Sequence, residues 1–162
     1  MAIVNNRSRV LFLPLVRSFF NKELGTRAKR HILDAAAELG IDGIFPPDDK
    51  YTDGSICSDA DVRGYFEEWR GEMSNIKALV AFGGNFMEER AFQDTLRLLP
   101  VDVPVFLAFQ NDNPSNMQFD NRGDALCGSL SIHRNARMLG REITATRGID
   151  FAIRNVLIES LR

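Results

Sequence analysis

Cysteine is scarce in this sequence, and it is not paired: Cys57 and Cys127 stand seventy positions apart, with no C-x-x-C and no cysteine–histidine set around either. Nothing in that spacing supports a disulfide framework or a structural zinc site. Both read as reduced thiols, Cys127 as a small buried hydrophobe rather than a nucleophile. Histidine is equally rare. His31 is expected on the buried side of the first helix and His133 within the fourth, neither at metal-ligand spacing from another donor. No apolar run reaches the length needed to span a bilayer. The first such stretch, "VLFLPLV", is short and followed by Arg17, unlike a secretory leader, so a cytoplasmic location with no membrane partner is expected. A surplus of positive charge is also missing. The formal net charge is -2, and the one dense basic run, "RAKRH" (27–31), reads as a solvated helix face, so no nucleic-acid partner is expected. The dinucleotide fingerprint G-x-G-x-x-G and the P-loop G-x-x-x-x-G-K are both absent.

What is present is an ordinary globular composition, 44% hydrophobic and 26% charged, in a chain long enough for one core. Strand and helix patterns alternate. "RVLFLPLV" (9–16) is a continuous apolar run suited to a strand covered on both faces; Asn21 then caps a helix with Leu24, Ala28, Ile32, Ala35 and Leu39 at helical spacing, ended by Gly40. "IDGIF" (41–45) is a short second strand. Ser58 with Asp61 resembles a capping box opening a helix whose stripe is Val62, Phe66, Trp69 and Met73. "KALVAF" (77–82) is the third strand, after which Asn85 and Glu88 form a cap-like pair ahead of Phe92, Leu96 and Leu99. "VPVFLAF" (103–109) is the fourth strand, followed by a polar loop (110–125) and a helix from Leu126 to Leu139. "REITATR" (141–147) is compatible with an edge strand, and Ile149, Ile153, Val156, Leu157 and Leu161 make an amphipathic stripe. The expected architecture is α/β, an open parallel sheet between helices on both faces, strand order 2-1-3-4. The expected organisation is an N-terminal tail (1–8), the sheet domain (9–142) and a C-terminal amphipathic helix (143–162).

In such sheets ligands bind beyond the carboxyl ends of the strands, near the point where the strand order reverses. That rule selects Arg17 after the first strand, Gly84, Asn85 and Phe86 after the third, and Gln110 and Asn111 after the fourth as candidate binding residues. Two readings of Gly83 and Gly84 stand side by side: a close backbone approach to a ligand, or a tight connection capped by Asn85. Glu88 and Glu89 read as first-turn acids that stabilise their helix, not as a catalytic pair. The 110–125 loop is rich in Asn, Asp and Gln; it suits either sugar hydroxyls or a partner surface.

Three blocks, "RVLFLPLVRSFFNKEL", "KALVAFGGNFMEERAFQDTLRLLPVDVPVFLAFQ" and "NRGDALCGSLSIHRNARMLGRE", together resemble the N-terminal portion of the L-fucose isomerase and L-arabinose isomerase family over roughly residues 9–142. The resemblance implies a flavodoxin-like first domain of a longer aldose–ketose isomerase. In that family later domains hold Mn2+, and the first domain of one subunit closes over the active site of its neighbour. It places Arg17 where the family has a substrate-facing polar residue and Phe86 where an aromatic or aromatic-neighbouring residue lines the sugar pocket. "GIDFAIRNVLIESLR" has no counterpart in these blocks. The resemblance thus implies a truncated or stand-alone domain that meets a pentose or 6-deoxyhexose at a shared pocket. No cofactor is expected in this chain, which is expected to form a homo-oligomer or to depend on missing catalytic domains, and to be inactive alone. The alternative is a flavodoxin-like small-molecule binding or regulatory module without catalysis; a structural subunit for a separate catalytic chain is a third reading.

Overall fold

The computed structural model describes residues 9–147. Its elements run β1 (Arg9–Pro14), α1 (Lys22–Glu38), β2 (Gly43–Ile44), α2 (Asp59–Glu68), a 3₁₀ turn (Arg70–Asn75), β3 (Ile76–Gly83), α3 (Glu89–Leu98), β4 (Val105–Phe109), α4 (Ala125–Met138) and β5 (Thr144–Arg147). Among the described residues the strands of the sheet pair in parallel, in the order β2-β1-β3-β4-β5. This is the flavodoxin-like open sheet, with the edge strand present, so the sheet continues past residue 142. The expected amphipathic stripe of 149–161 lies outside the described residues.

The two-residue alternation along the strands sorts the core into two layers. Phe12, Val80 and Phe106 stand abreast in register and, with Val10, Ala78, Phe82 and Ala108, share a core with Ala28, Ile32 and Ala36 of α1. Their neighbours Leu11, Leu79 and Leu107 face the other way, onto Val62 and Phe66 of α2, Phe92 and Leu96 of α3, and Ile132 and Ala136 of α4. The chain steps left from β1 to β2 and then crosses back to β3. Right-handed crossovers therefore put α1 on one face and the next three helices on the other. The reversal falls between β1 and β3, and their carboxyl ends meet there.

Local chemistry sets the helix ends. The Asn21 side chain accepts from Glu23 N at 2.9 Å, and Ser58 Oγ accepts from Asp61 N at 3.1 Å while the Asp61 carboxylate accepts from Cys57 N at 3.0 Å. Gly40, at φ +66°, closes α1 as Ile41 N donates to Ala36 O at 2.9 Å. Among the described residues no helix is long and apolar enough to cross a membrane.

Several expectations are corrected. Asn85 does not cap α3, which starts at Glu89 with Glu88 as its cap, accepting from Arg90 N at 3.4 Å. α2 ends at Glu68, so Trp69 and Met73 lie beyond it, though both still pack against the same core. His31 is exposed rather than buried. Within the basic run the buried cation is Lys29, whose Nζ donates to Pro46 O at 2.6 Å and pairs with the Asp48 carboxylate. Cys127 is exposed, and Asp124 beside it raises its thiol pKa, which disfavours the thiolate a nucleophile needs.

Tyr65 ties the short β2 to the sheet. Fully buried, its hydroxyl is placed to donate to Phe12 O at 3.1 Å and Ile44 O at 2.9 Å, a hydrogen shared between two strand carbonyls. Burial pushes its pKa well above 10, and burial together with the hydrogen bond to Glu68 pushes Tyr51 up to about 12. These are the two tyrosines of the chain. A raised folded pKa means that the unfolded state loses its proton first as pH rises. The stabilisation is complete below the ordinary value of about 10 and disappears as pH climbs through about 12. An alkaline titration is expected to show tyrosinate absorbance rising late and together with loss of the circular dichroism signal. Half-ionised tyrosine near pH 10 with the fold intact would contradict this.

Candidate functional site at the carboxyl edge of the sheet

The carboxyl ends of β1, β3 and β4 meet in one rim, and most of the residues chosen from sequence lie on it. Arg17 is the hub. Its backbone N–H donates to Asn85 Oδ1 at 3.0 Å, and its Nε donates to Glu88 Oε2 at 3.2 Å. A terminal guanidinium nitrogen lies 4.0 Å from Glu89 Oε2. The guanidinium sits 4.5 Å from the centre of the Phe86 ring and 5.9 Å from that of Phe19, so an aromatic wall backs the cation. Phe20 continues this wall, nearly parallel to Phe86 at 6.0 Å.

Asn85 is fully buried and joins three segments: it accepts from Arg17 N and its Nδ2 donates to Asn21 O at 3.3 Å. Gly84 is buried beside it. A Cβ there would lie 2.0 Å from Leu24 O and 2.9 Å from Gly25 N, so the close approach that the glycine allows is filled by the first turn of α1. At Gly84 the glycine pair forms a close packing junction against α1. Gln110 is fixed to β3 by its backbone, with N–H donating to Gly83 O at 3.0 Å, while its buried Oε1 has no hydrogen-bond partner among the described residues. Asn111 is exposed at the start of the polar loop.

That loop is pinned at its ends. The Asp112 carboxylate accepts from Gly123 N at 2.6 Å and Asp124 N at 3.0 Å, Phe86 N donates to Gly123 O at 2.6 Å, and Asn21 Nδ2 donates to Asp120 O at 2.9 Å. Sequence reasoning did not select Asn21, which it read as a helix cap, or Asp112 and the Phe19–Phe20 pair as binding residues. The signal for the last was available: two adjacent aromatics just beyond a strand end have no core to enter. The contacts that Asp112 and Asn21 make across the rim carried no such signal, because those partners lie 11 to 99 residues away in the chain.

Glu88 and Glu89 are turned to Arg17, and among the described residues no three His, Cys, Asp or Glu side chains gather as a metal group.

A family model described as the N-terminal domain of fucose/sulfoquinovose isomerase matches residues 12–157. The chain belongs to that family. The match agrees with the resemblance carried by the three sequence blocks and extends it. It reaches past residue 142 into the segment that had no counterpart in them. No curated protein matches the chain. As a fucose/sulfoquinovose isomerase N-terminal domain, the chain places its rim at the sheet's topological switch, where open α/β sheets bind ligands.

Proposed function

We propose that this chain supplies one wall of a sugar ketol-isomerase pocket together with contacts for assembly, and that it does not turn over sugar by itself. The observation that carries the reading is the rim at the switch point: Arg17 stacked on Phe86 and held by Glu88, with Gln110 Oε1 lacking a partner among the described residues. A guanidinium fixed in this way points its remaining N–H groups in set directions, which suits sugar hydroxyls better than a mobile lysine would. Arg17, Gln110 and Asn111 bind hydroxyls of a pentose or 6-deoxyhexose, and Phe86 carries a C–H face. Gly84 and Asn85 keep the rim in shape from beneath. A metal held by other domains polarises the sugar oxygens for proton transfer. The pocket is completed by another subunit or domain, in a homo-oligomer of cytoplasmic carbohydrate metabolism.

The purified chain given Mn2+ with L-fucose or L-arabinose is expected to show no isomerisation, and its melting temperature is expected to rise with pentoses or 6-deoxyhexoses. Turnover by the pure chain would refute its dependence on other domains. Stabilisation solely by nucleotides, flavins or phosphate would replace the reading with a binding or regulatory module, and a monomeric mass by light scattering would remove the homo-oligomer.

A further inference from the structure

Next to the Arg17 rim lies a cleft that the candidate residues do not include. Phe19 and Phe20 stand at the end of β1 with ring centres 4.7 Å apart, and the polar loop sets Phe119 and Asp120 opposite them, with Asn21 also in the lining. The space is about 260 Å³, just below the range of about 300–1,000 Å³ usual for drug-sized ligands, which suits one end of a sugar. Phe19 is 66% exposed and Phe119 72%. Two large rings left in water on adjoining loops form an apolar feature that calls for an occupant. The walls are tied together: Asn21 Nδ2 holds Asp120 O, and Asp112 closes the loop behind them.

The charge of the cleft narrows the occupant. None of its five lining residues is cationic, and one is a carboxylate. The guanidinium nearest the Phe19 ring, that of Arg17, is already paired with Glu88 and has Glu89 at 4.0 Å. Aromatic faces carry negative quadrupole density. A sulfonate entering here would meet repulsion, whereas the C–H face or methyl end of a neutral sugar would lie on the rings while its hydroxyls donate to Asp120.

Resting on the sugar-pocket reading above, we infer that this cleft is the subsite for the apolar end of a neutral sugar, with Phe19, Phe119 and Asp120 discriminating against a sulfonated one. The test is a heteronuclear NMR titration of the 162-residue chain with L-fucose and, separately, sulfoquinovose. L-fucose is expected to shift the amides of Phe19, Phe119 and Asp120, with sulfoquinovose weaker by about tenfold. Phe119→Ala weakens L-fucose by about tenfold, and Asp120→Asn narrows the gap between the sugars by about threefold. Both positions are exposed, so the variants keep the fold. Shifts confined to Arg17, Phe86 and Gln110 would overturn the subsite and leave the pocket reading standing. Equal affinity for the two sugars would overturn the discrimination, and no response anywhere on the rim would overturn the pocket reading itself. Cleft shifts that follow protein concentration without sugar would identify a second copy of the chain as the occupant and overturn the sugar subsite.

Discussion

Gly84→Ala is expected to destabilise the fold by about 3 kcal/mol or more, toward the upper end of what overpacking does. The added Cβ would stand 2.0 Å from Leu24 O, 2.5 Å from Leu24 C and 2.9 Å from Gly25 N. All three are backbone atoms in the first turn of α1, so no flexible side chain is available to step aside. The other side is closed as well: a Cβ on Gly123 would lie 2.6 Å from Gly84 O, which shows how tightly the polar loop lies on this peptide. Relief requires α1 to move away from the sheet, and that motion pulls Asn21 from Asn85 and Arg17 from its place on the rim. Gly71→Ala is the control. A Cβ there has no heavy atom within 4 Å, and its effect is expected within about 0.5 kcal/mol. Urea unfolding at unchanged slope checks both. A Gly84→Ala midpoint close to that of the parent would mean that the α1 junction is not the tight contact described.

What was legible in the sequence was whatever depends on near neighbours. Leu11, Leu79 and Leu107 against Phe12, Val80 and Phe106 alternate with the strand period, and Ala28, Ile32 and Ala36 follow the helix period, so the layers and the order 2-1-3-4 could be read with short-range rules. Asn21 and Ser58 cap helices through residues two and three positions away, again within reach of pattern. The rule that ligands sit at the carboxyl edge then brought Arg17, Asn85, Phe86 and Gln110 to one rim. Asn85 was misread as a cap because a cap and a long-range tether use the same side chain; its partners are Arg17 and Asn21, sixty-eight and sixty-four residues away. Lys29 was misread for a similar reason. A lysine between arginines looks solvated until the loop carrying Pro46 and Asp48 folds over it. Buried polar contacts of large sequence separation are the part that periodicity does not encode.

Asn85→Ala is expected to cost about 3 kcal/mol, lowering the melting temperature by about 10 °C. The substitution removes two groups at once from a site with no exposure. Arg17 N loses its acceptor at 3.0 Å and Asn21 O its donor at 3.3 Å, and each part-buried group left without a partner carries a penalty of up to about 1–3 kcal/mol. The Asn21 carbonyl belongs to the residue capping α1, so the helix start loosens with it. Asn85→Asp separates the two halves of the interaction. One oxygen still accepts from Arg17 N, but the other now sets a carboxylate against the Asn21 carbonyl. Burial and that carbonyl both favour the protonated acid, so the folded pKa is raised above the ordinary value of about 3.9. The variant therefore recovers toward the parent below about pH 4, where a protonated oxygen donates to Asn21 O, and loses ground as pH rises. Comparative thermal melts at pH 4 and pH 7 read this directly. A pH-independent deficit in Asn85→Asp, or a loss under about 1 kcal/mol in Asn85→Ala, would mean that the rim is held by something other than this amide.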